Sequence, residues 1–159
     1  MSDQELGIDT LIVNDKVKLI AFEMAGRAHA TWHHFYGTAS IVLFVIDVME
    51  MGRIDKIRNI IMEMDEELPE RAKIVLAFNK IDLVFKEESK PDDHECSHVT
   101  EFVNVNRSEF KTINQLRFDD LNHEVQTCKC SGKSGIGISN LVKIIYELAM
   151  REVYGNLPD

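Results

Sequence analysis

The chain has 159 residues, 45% of them hydrophobic and 28% charged, a length and composition that suit one globular domain burying about 70% of its unfolded surface. Its 27 acidic residues outnumber the 18 basic ones for a net charge of -9, the wrong sign for gripping the phosphates of a nucleic acid. No stretch approaches the roughly 18 apolar residues of a membrane span, and the start at Met1, Ser2 and Asp3 offers neither a basic leader nor a lipidation signal, so a cytosolic, unanchored protein is expected.

Thr10 to Val13 and Val17 to Phe22 read as two strands joined at Asn14 and Asp15, a turn-forming pair, and so predict a hairpin. Ile41 to Ile46 and Lys73 to Phe78 are short, β-branched and mostly apolar, as expected of strands covered on both faces. Between them Ile54, Ile57, Ile61, Met64 and Leu68 recur at three- and four-residue steps, which predicts an amphipathic helix. Strand, helix and strand in this order imply a right-handed crossover and a parallel sheet. Lys86 to Glu95 replaces periodicity with charge and a proline and reads as a solvated loop. Residues 84–122 as a whole read as a variable insertion, in which Phe102, Val105, Phe110, Ile113, Leu116 and Phe118 supply enough apolar residues for a small docked unit. A last strand from Val125 to Cys130 precedes a glycine-rich turn and a helix with Ile138, Leu141, Ile144, Ile145, Leu148 and Ala149 on one face. The expectation is a single α/β domain over residues 1–159, with helices on both faces of a mostly parallel sheet.

In an open α/β sheet ligands bind outside the carboxyl ends of the strands, so the loops directly after strands carry the chemistry. One such loop is Asn79-Lys80-Ile81-Asp82. A carboxylate at Asp82 can accept both N–H groups on the edge of guanine, a contact adenine cannot offer. Asn79 can tie loops together, and the Lys80 stem can cover a ring face. The other loop is Ser131-Gly132-Lys133, whose backbone N–H groups can meet the guanine carbonyl. A four-residue pattern is weak by itself, since Asn79 capping a turn and Asp82 standing in solvent would give the same letters.

The residues between these loops add context. Phe22-Glu23-Met24-Ala25-Gly26-Arg27, then Trp32-His33-His34-Phe35-Tyr36, the strand from Ile41 to Asp47, then Arg53, Ile54, Arg58, Leu68, Ala72 and Leu76 lead into Asn79-Lys80-Ile81-Asp82-Leu83. From Lys16 to Leu83 the chain resembles the Arf branch of the Ras-like small GTPases. Ser131-Gly132-Lys133 resembles that family's second guanine loop. The resemblance implies a three-layer small G domain of the phosphate-loop NTPase type, with Asn79, Lys80, Asp82, Ser131, Gly132 and Lys133 on the guanine side. It also makes Glu23, Gly26 and Arg27 switch-like positions.

The chain departs from the family on the phosphate side. A small GTPase opens with a strand, the loop Gly-x-x-x-x-Gly-Lys-Ser/Thr and a helix, about 30 residues together, whereas fewer than ten precede the hairpin here. Where the family has a Mg²⁺-side Asp, a glycine and a water-positioning Gln, the chain has Glu23, Ala25 and Arg27, and Gln4 to Gly7 holds no switch threonine. Each lost charge-assisted bond removes about 1.5–3 kcal/mol, so ordinary GTP affinity is not expected. The reading is a degenerate, non-hydrolysing G domain truncated at its N-terminus. It has no catalytic residue, no metal ligand and no expected cofactor, and it binds a protein partner through the hairpin and the Gly26 to Tyr36 segment, with self-association through uncovered sheet as a further option. The alternative is a working GTPase, with GTP or GDP and Mg²⁺, represented by a fragment. Loss of the first strand would leave the strands Val17 to Phe22 and Ile41 to Ile46 unpaired, and direct pairing of the two is the favoured repair.

Other patterns carry less. Gly132-Lys133-Ser134 lies between a strand and a helix, but a phosphate loop would need glycine where Thr127 stands. His94, Cys96 and His98 with Cys128 and Cys130 lack the spacing of a zinc site, and three cysteines are too few for a disulfide framework. Cys128 and Cys130 are expected to share one face of the last strand as small hydrophobes. His33 and His34 read as part of a packed aromatic helix, and the methionines, Met49, Met51, Met62 and Met64 among them, as core filling.

Overall fold

Strand β1 (Leu6–Ile12) pairs antiparallel with β2 (Lys18–Met24), in a register that sets Gly7 against Glu23, Ile8 against Phe22 and Thr10 against Ile20. The computed structural model describes residues 6–12, 18–83 and 120–155. The hairpin begins four residues earlier than Thr10, because Ile8 and Thr10 alternate with Gly7 and Asp9 at the period of two that a strand requires. The expected turn at Asn14 and Asp15, the loop from Lys86 to Glu95, the apolar residues of the insertion and the His94, Cys96 and His98 group lie outside the described residues.

A second sheet has the order β3 (Ile41–Asp47), β4 (Lys73–Asn79), β5 (Val125–Lys129), all parallel. Between β2 and β3 the chain forms a 3-10 turn (Gly26–Thr31) and the one-turn helix α1 (His33–Tyr36). The crossover from β3 to β4 carries α2 (Ile54–Glu67), and α3 (Ile138–Tyr154) follows β5. The central strand β4 is buried on both faces, as its run of apolar residues requires. Ile74, Leu76 and Phe78 face a core built with Ile61, Met64 and Leu68 from the α2 side and with Tyr36. Val75 and Ala77 face the other core, with Cys128, Cys130, Leu141, Ile144 and Leu148. Each fully buried aliphatic side chain here contributes about 1.5–3 kcal/mol, so this strand anchors the three layers. Cys128 and Cys130 pack there together as small hydrophobes. Of the methionines, Met64 is buried whereas Met49 is exposed, so core filling describes only part of the set. His33 and His34 stand in solvent with their rings 3.9 Å apart, and the aromatic packing falls instead to Trp32 and Tyr36.

Direct pairing of the second hairpin strand with Ile41 to Ile46 does not occur. Among the described residues β2 pairs only with β1 and β3 only with β4, and no strand lies between the two sheets. Aromatic side chains do the joining instead. Phe22 of β2 packs on Phe35 with ring centres 5.6 Å apart, and Trp32 meets Phe44 of β3 edge-on at 5.9 Å. The indole N–H of Trp32 donates to the Ala25 carbonyl at 3.2 Å, which pins the intervening segment to the end of β2. The hairpin is therefore held through side chains rather than through a backbone ladder. The face of β3 on the α3 side stays partly open, with Leu43 40% and Val45 56% exposed.

A buried polar cluster closes the opposite end. Asp65 on α2 is 3% exposed and accepts hydrogen bonds from the backbone N–H groups of Asn122 at 2.7 Å and His123 at 3.2 Å. The Asn122 amide donates to it at 3.0 Å and the His123 ring approaches through Nδ1 at 2.7 Å. The other ring nitrogen, Nε2, lies 3.0 Å from the Pro69 carbonyl. Beside this cluster Asp120 pairs with Arg58 at 3.5 Å, and Leu121 joins the α2-side core. Burial pushes the Asp65 carboxyl up, but the bonds from Asn122 and His123 and the nearby imidazole outweigh it, so the group sits below its ordinary 3.8.

Candidate functional site at the carboxyl ends of the parallel strands

The parallel strands end together, with Asp47 of β3 in register with Asn79 of β4, so the loops that follow emerge side by side. After Asn79 the backbone turns sharply. Lys80 adopts φ +69°, the left-handed region, and Ile81 to Leu83 form a 3-10 turn closed by the Leu83 N–H on the Lys80 carbonyl at 3.0 Å. A side chain tolerates that conformation only where its surroundings fix it. Here the Asn79 side chain does so, its oxygen accepting the Lys80 backbone N–H at 2.8 Å.

The same Asn79 oxygen accepts the Gly132 N–H at 3.0 Å and thereby joins the loop after β4 to the loop after β5. Two further bonds run in parallel. The Ile81 N–H donates to the Cys130 carbonyl at 3.3 Å, and the Ser131 hydroxyl donates to the Asp82 carboxylate. Ser131 is 1% exposed and is held from every side: its N–H meets the Ile136 carbonyl at 2.8 Å, and its Oγ accepts the Ser134 N–H at 3.1 Å. Asp82 is thus oriented by a buried hydroxyl through Oδ1, and its other oxygen has no partner among the described residues. Gly132 and Lys133 are exposed beside it.

The ammonium of Lys80 pairs with the Asp47 carboxylate, whose Oδ1 also accepts the Met49 N–H at 2.9 Å. Burial pushes Asp47 up, but its bonds to Lys80 and Met49 hold it below the ordinary carboxylate value. Lys80 is raised above the ordinary lysine value, first by its bond to Asp47 and then by that residue's charge. The structure therefore brings Asn79, Lys80, Asp82, Ser131, Gly132 and Lys133 into one surface. Glu23, Gly26 and Arg27 lie elsewhere, at the end of β2 and in the turn after it, on the side of the two-stranded sheet.

A carboxylate fixed through one oxygen and a neighbouring lysine offer an acceptor edge and an aliphatic stem, groups that suit a planar ligand bearing two adjacent N–H groups. A family model for the ADP-ribosylation factor family matches residues 5–148. The chain belongs to that family. Among solved structures 118 chains match this one. One, assigned as nucleolar GTP-binding protein 1 from Plasmodium falciparum, superimposes with a TM-score of 0.58 at 18% identity, covering 93% of this chain and 72% of that one. That likeness establishes the fold, a mixed α/β domain of the small G-protein type. No curated protein matches the chain. Arf-family domains in general bind GTP or GDP with Mg²⁺; in this chain Asn79 fixes the loop at Lys80, and the Asp82 carboxylate stands beside the Ser131 loop. The pattern Gly-x-x-x-x-Gly-Lys-Ser/Thr does not occur in these 159 residues. Among the described residues no helix is long and apolar enough to cross a membrane.

Sequence reasoning did not single out Asp47 as part of this site. The signal was its place at the carboxyl end of an apolar strand, the position at which ligands meet open sheets.

Proposed function

We propose that this Arf-family domain retains guanine recognition, lacks the phosphate grip, and works as a non-hydrolysing binding module. The observation that supports the base side is the pair of bonds from Asn79 to Gly132 and from Ser131 to Asp82, which fasten two loops far apart in sequence into one polar surface. Glu23, Ala25 and Arg27 at the switch-like positions support the loss of hydrolysis. A protein partner is read at the hairpin and the Gly26 to Tyr36 segment, where Ile8 at 62%, Ile20 at 56% and Phe22 at 44% exposure offer apolar contact.

Calorimetry with Mg²⁺ and GDP tests this reading. The expected Kd lies above about 100 µM, because base contacts without the phosphate contribution reach only about -5 kcal/mol. A sub-micromolar isotherm would overturn it in favour of a working GTPase. Guanosine at millimolar concentration is expected to bind weakly, and Asp82→Ala to abolish that binding. Asp82→Ala is also expected to cost about 1–2 kcal/mol of stability, more than an exposed loop position would, since it strands the buried Ser131 hydroxyl.

A further inference from the structure

Three carboxylates act on the charge of the Lys80 ammonium, those of Asp47, Glu50 and Asp82, and the first of them bonds it. Glu50 is taken by Arg53 at 2.9 Å, and Asp82 accepts the Ser131 hydroxyl. Among the described residues only Asp47 bonds the Lys80 ammonium, and Asp47 is itself held by the Met49 N–H and by the end of the β3 ladder in register with Asn79. This division of partners has a consequence for ligand binding. A lysine without a fixed partner has access to many rotamers, and the carboxylates left to attract it are those of Glu50 and Asp82, the second of which carries the oxygen, free of partners among the described residues, that a purine edge needs.

We propose that Asp47 is a positioning residue for a purine base: it draws the Lys80 ammonium toward β3, so that the lysine stem forms one wall of the base slot and Asp82 stays open to the ligand. This rests on the base-side reading of these loops. The left-handed backbone at Lys80 and the half-exposed side chain make the arrangement one of preorganisation rather than of burial. Asp47 would touch no ligand atom itself. Its effect would appear as a conformational cost that the ligand otherwise pays.

The test is titration of the whole chain with guanosine, followed by NMR. In the native chain the Lys80 methylene protons should shift with the ring current of the bound base. Asp47→Asn keeps an oxygen for the Met49 N–H but loses the ion pair, and should weaken guanosine about three- to tenfold while diminishing that ring-current shift. Lys80→Met added to Asp47→Asn removes the cation that would otherwise fall onto Asp82 and should recover most of the affinity. A thermal midpoint measured on each variant separates this from a folding effect, which Lys80→Met would not repair. If Asp47→Asn binds as the native chain does, or binds more weakly with the Lys80 shift intact, the positioning role is wrong while the base-side reading stands. If the native chain shows no guanosine binding at all, both fall together.

Discussion

Asp65→Ala is expected to remove about 3–5 kcal/mol of unfolding free energy, lowering the urea midpoint by about 2 M. The variant strands two backbone N–H groups, the Asn122 amide and one face of the His123 ring, all of which converge on this one buried carboxylate. Such a loss is a large share of the roughly 5–15 kcal/mol of a typical domain. The pH dependence follows in sign from the lowered carboxyl. A depressed folded value means that the stabilisation is present above the ordinary 3.8 and is lost as pH falls through the still lower folded value. The gap between native chain and variant in urea titrations should therefore narrow as pH is lowered from 7 to 3. A difference that persists undiminished at the lower pH would mean that the ionised carboxylate is not what holds residues 120–124 to α2.

Gly137→Ala is expected to destabilise by about 2–5 kcal/mol, and Gly135→Ala by only about 1. Both glycines have positive φ, +72° and +83°, so both substitutions meet the left-handed penalty. They differ in their surroundings. A Cβ on Gly137 would sit 2.0 Å from the Lys129 carbonyl oxygen and 3.2 Å from Cys130 Cα, whereas one on Gly135 meets nothing within 4 Å. Gly137 is where α3 begins against the end of β5, and the Leu141 N–H starts the helix on its carbonyl at 3.0 Å. Paired thermal melts of the two variants isolate the close approach, and equal shifts would show that strain alone matters.

The parallel sheet was legible because its strands are buried on both faces and so must be apolar throughout. Ile41, Lys73 and Val125 begin strands where the sequence predicts, and each end falls within one residue of its expected place. α2 was legible for the same reason at a different period. The Asp65 cluster was not, because its partners stand 57 and 58 residues away and no local pattern links them. A sign did exist: Asp65 falls four residues after Ile61 and one after Met64, inside the apolar stripe, where a carboxylate must find donors. The loops after β4 and β5 were legible as letters, but the bond from Ser131 to Asp82 needed coordinates. The failed strand pairing has another cause. Edge reasoning treated backbone satisfaction as decisive, whereas Phe22, Phe35, Trp32 and Phe44 hold the hairpin through ring contacts that do not require a shared ladder.

Much of what builds the site joins residues on either side of the 36 residues between Leu83 and Asp120. The β4 and β5 ladder, the bonds from Gly132 to Asn79 and from Ser131 to Asp82, the clamp of Asn122 and His123 on Asp65, and the packing of α3 on Val75 and Ala77 all join the first part of the chain to the last. Covalent connection through a loop of that length is worth only about 3 kcal/mol in closure entropy. Residues 1–83 and 120–159, produced as two separate polypeptides, are thus expected to find each other and co-purify as one folded body. The domain is a lock made of two interleaved halves, and Asp65→Ala, by breaking a bolt between them, should abolish their reassembly well before it abolishes the folding of the intact chain.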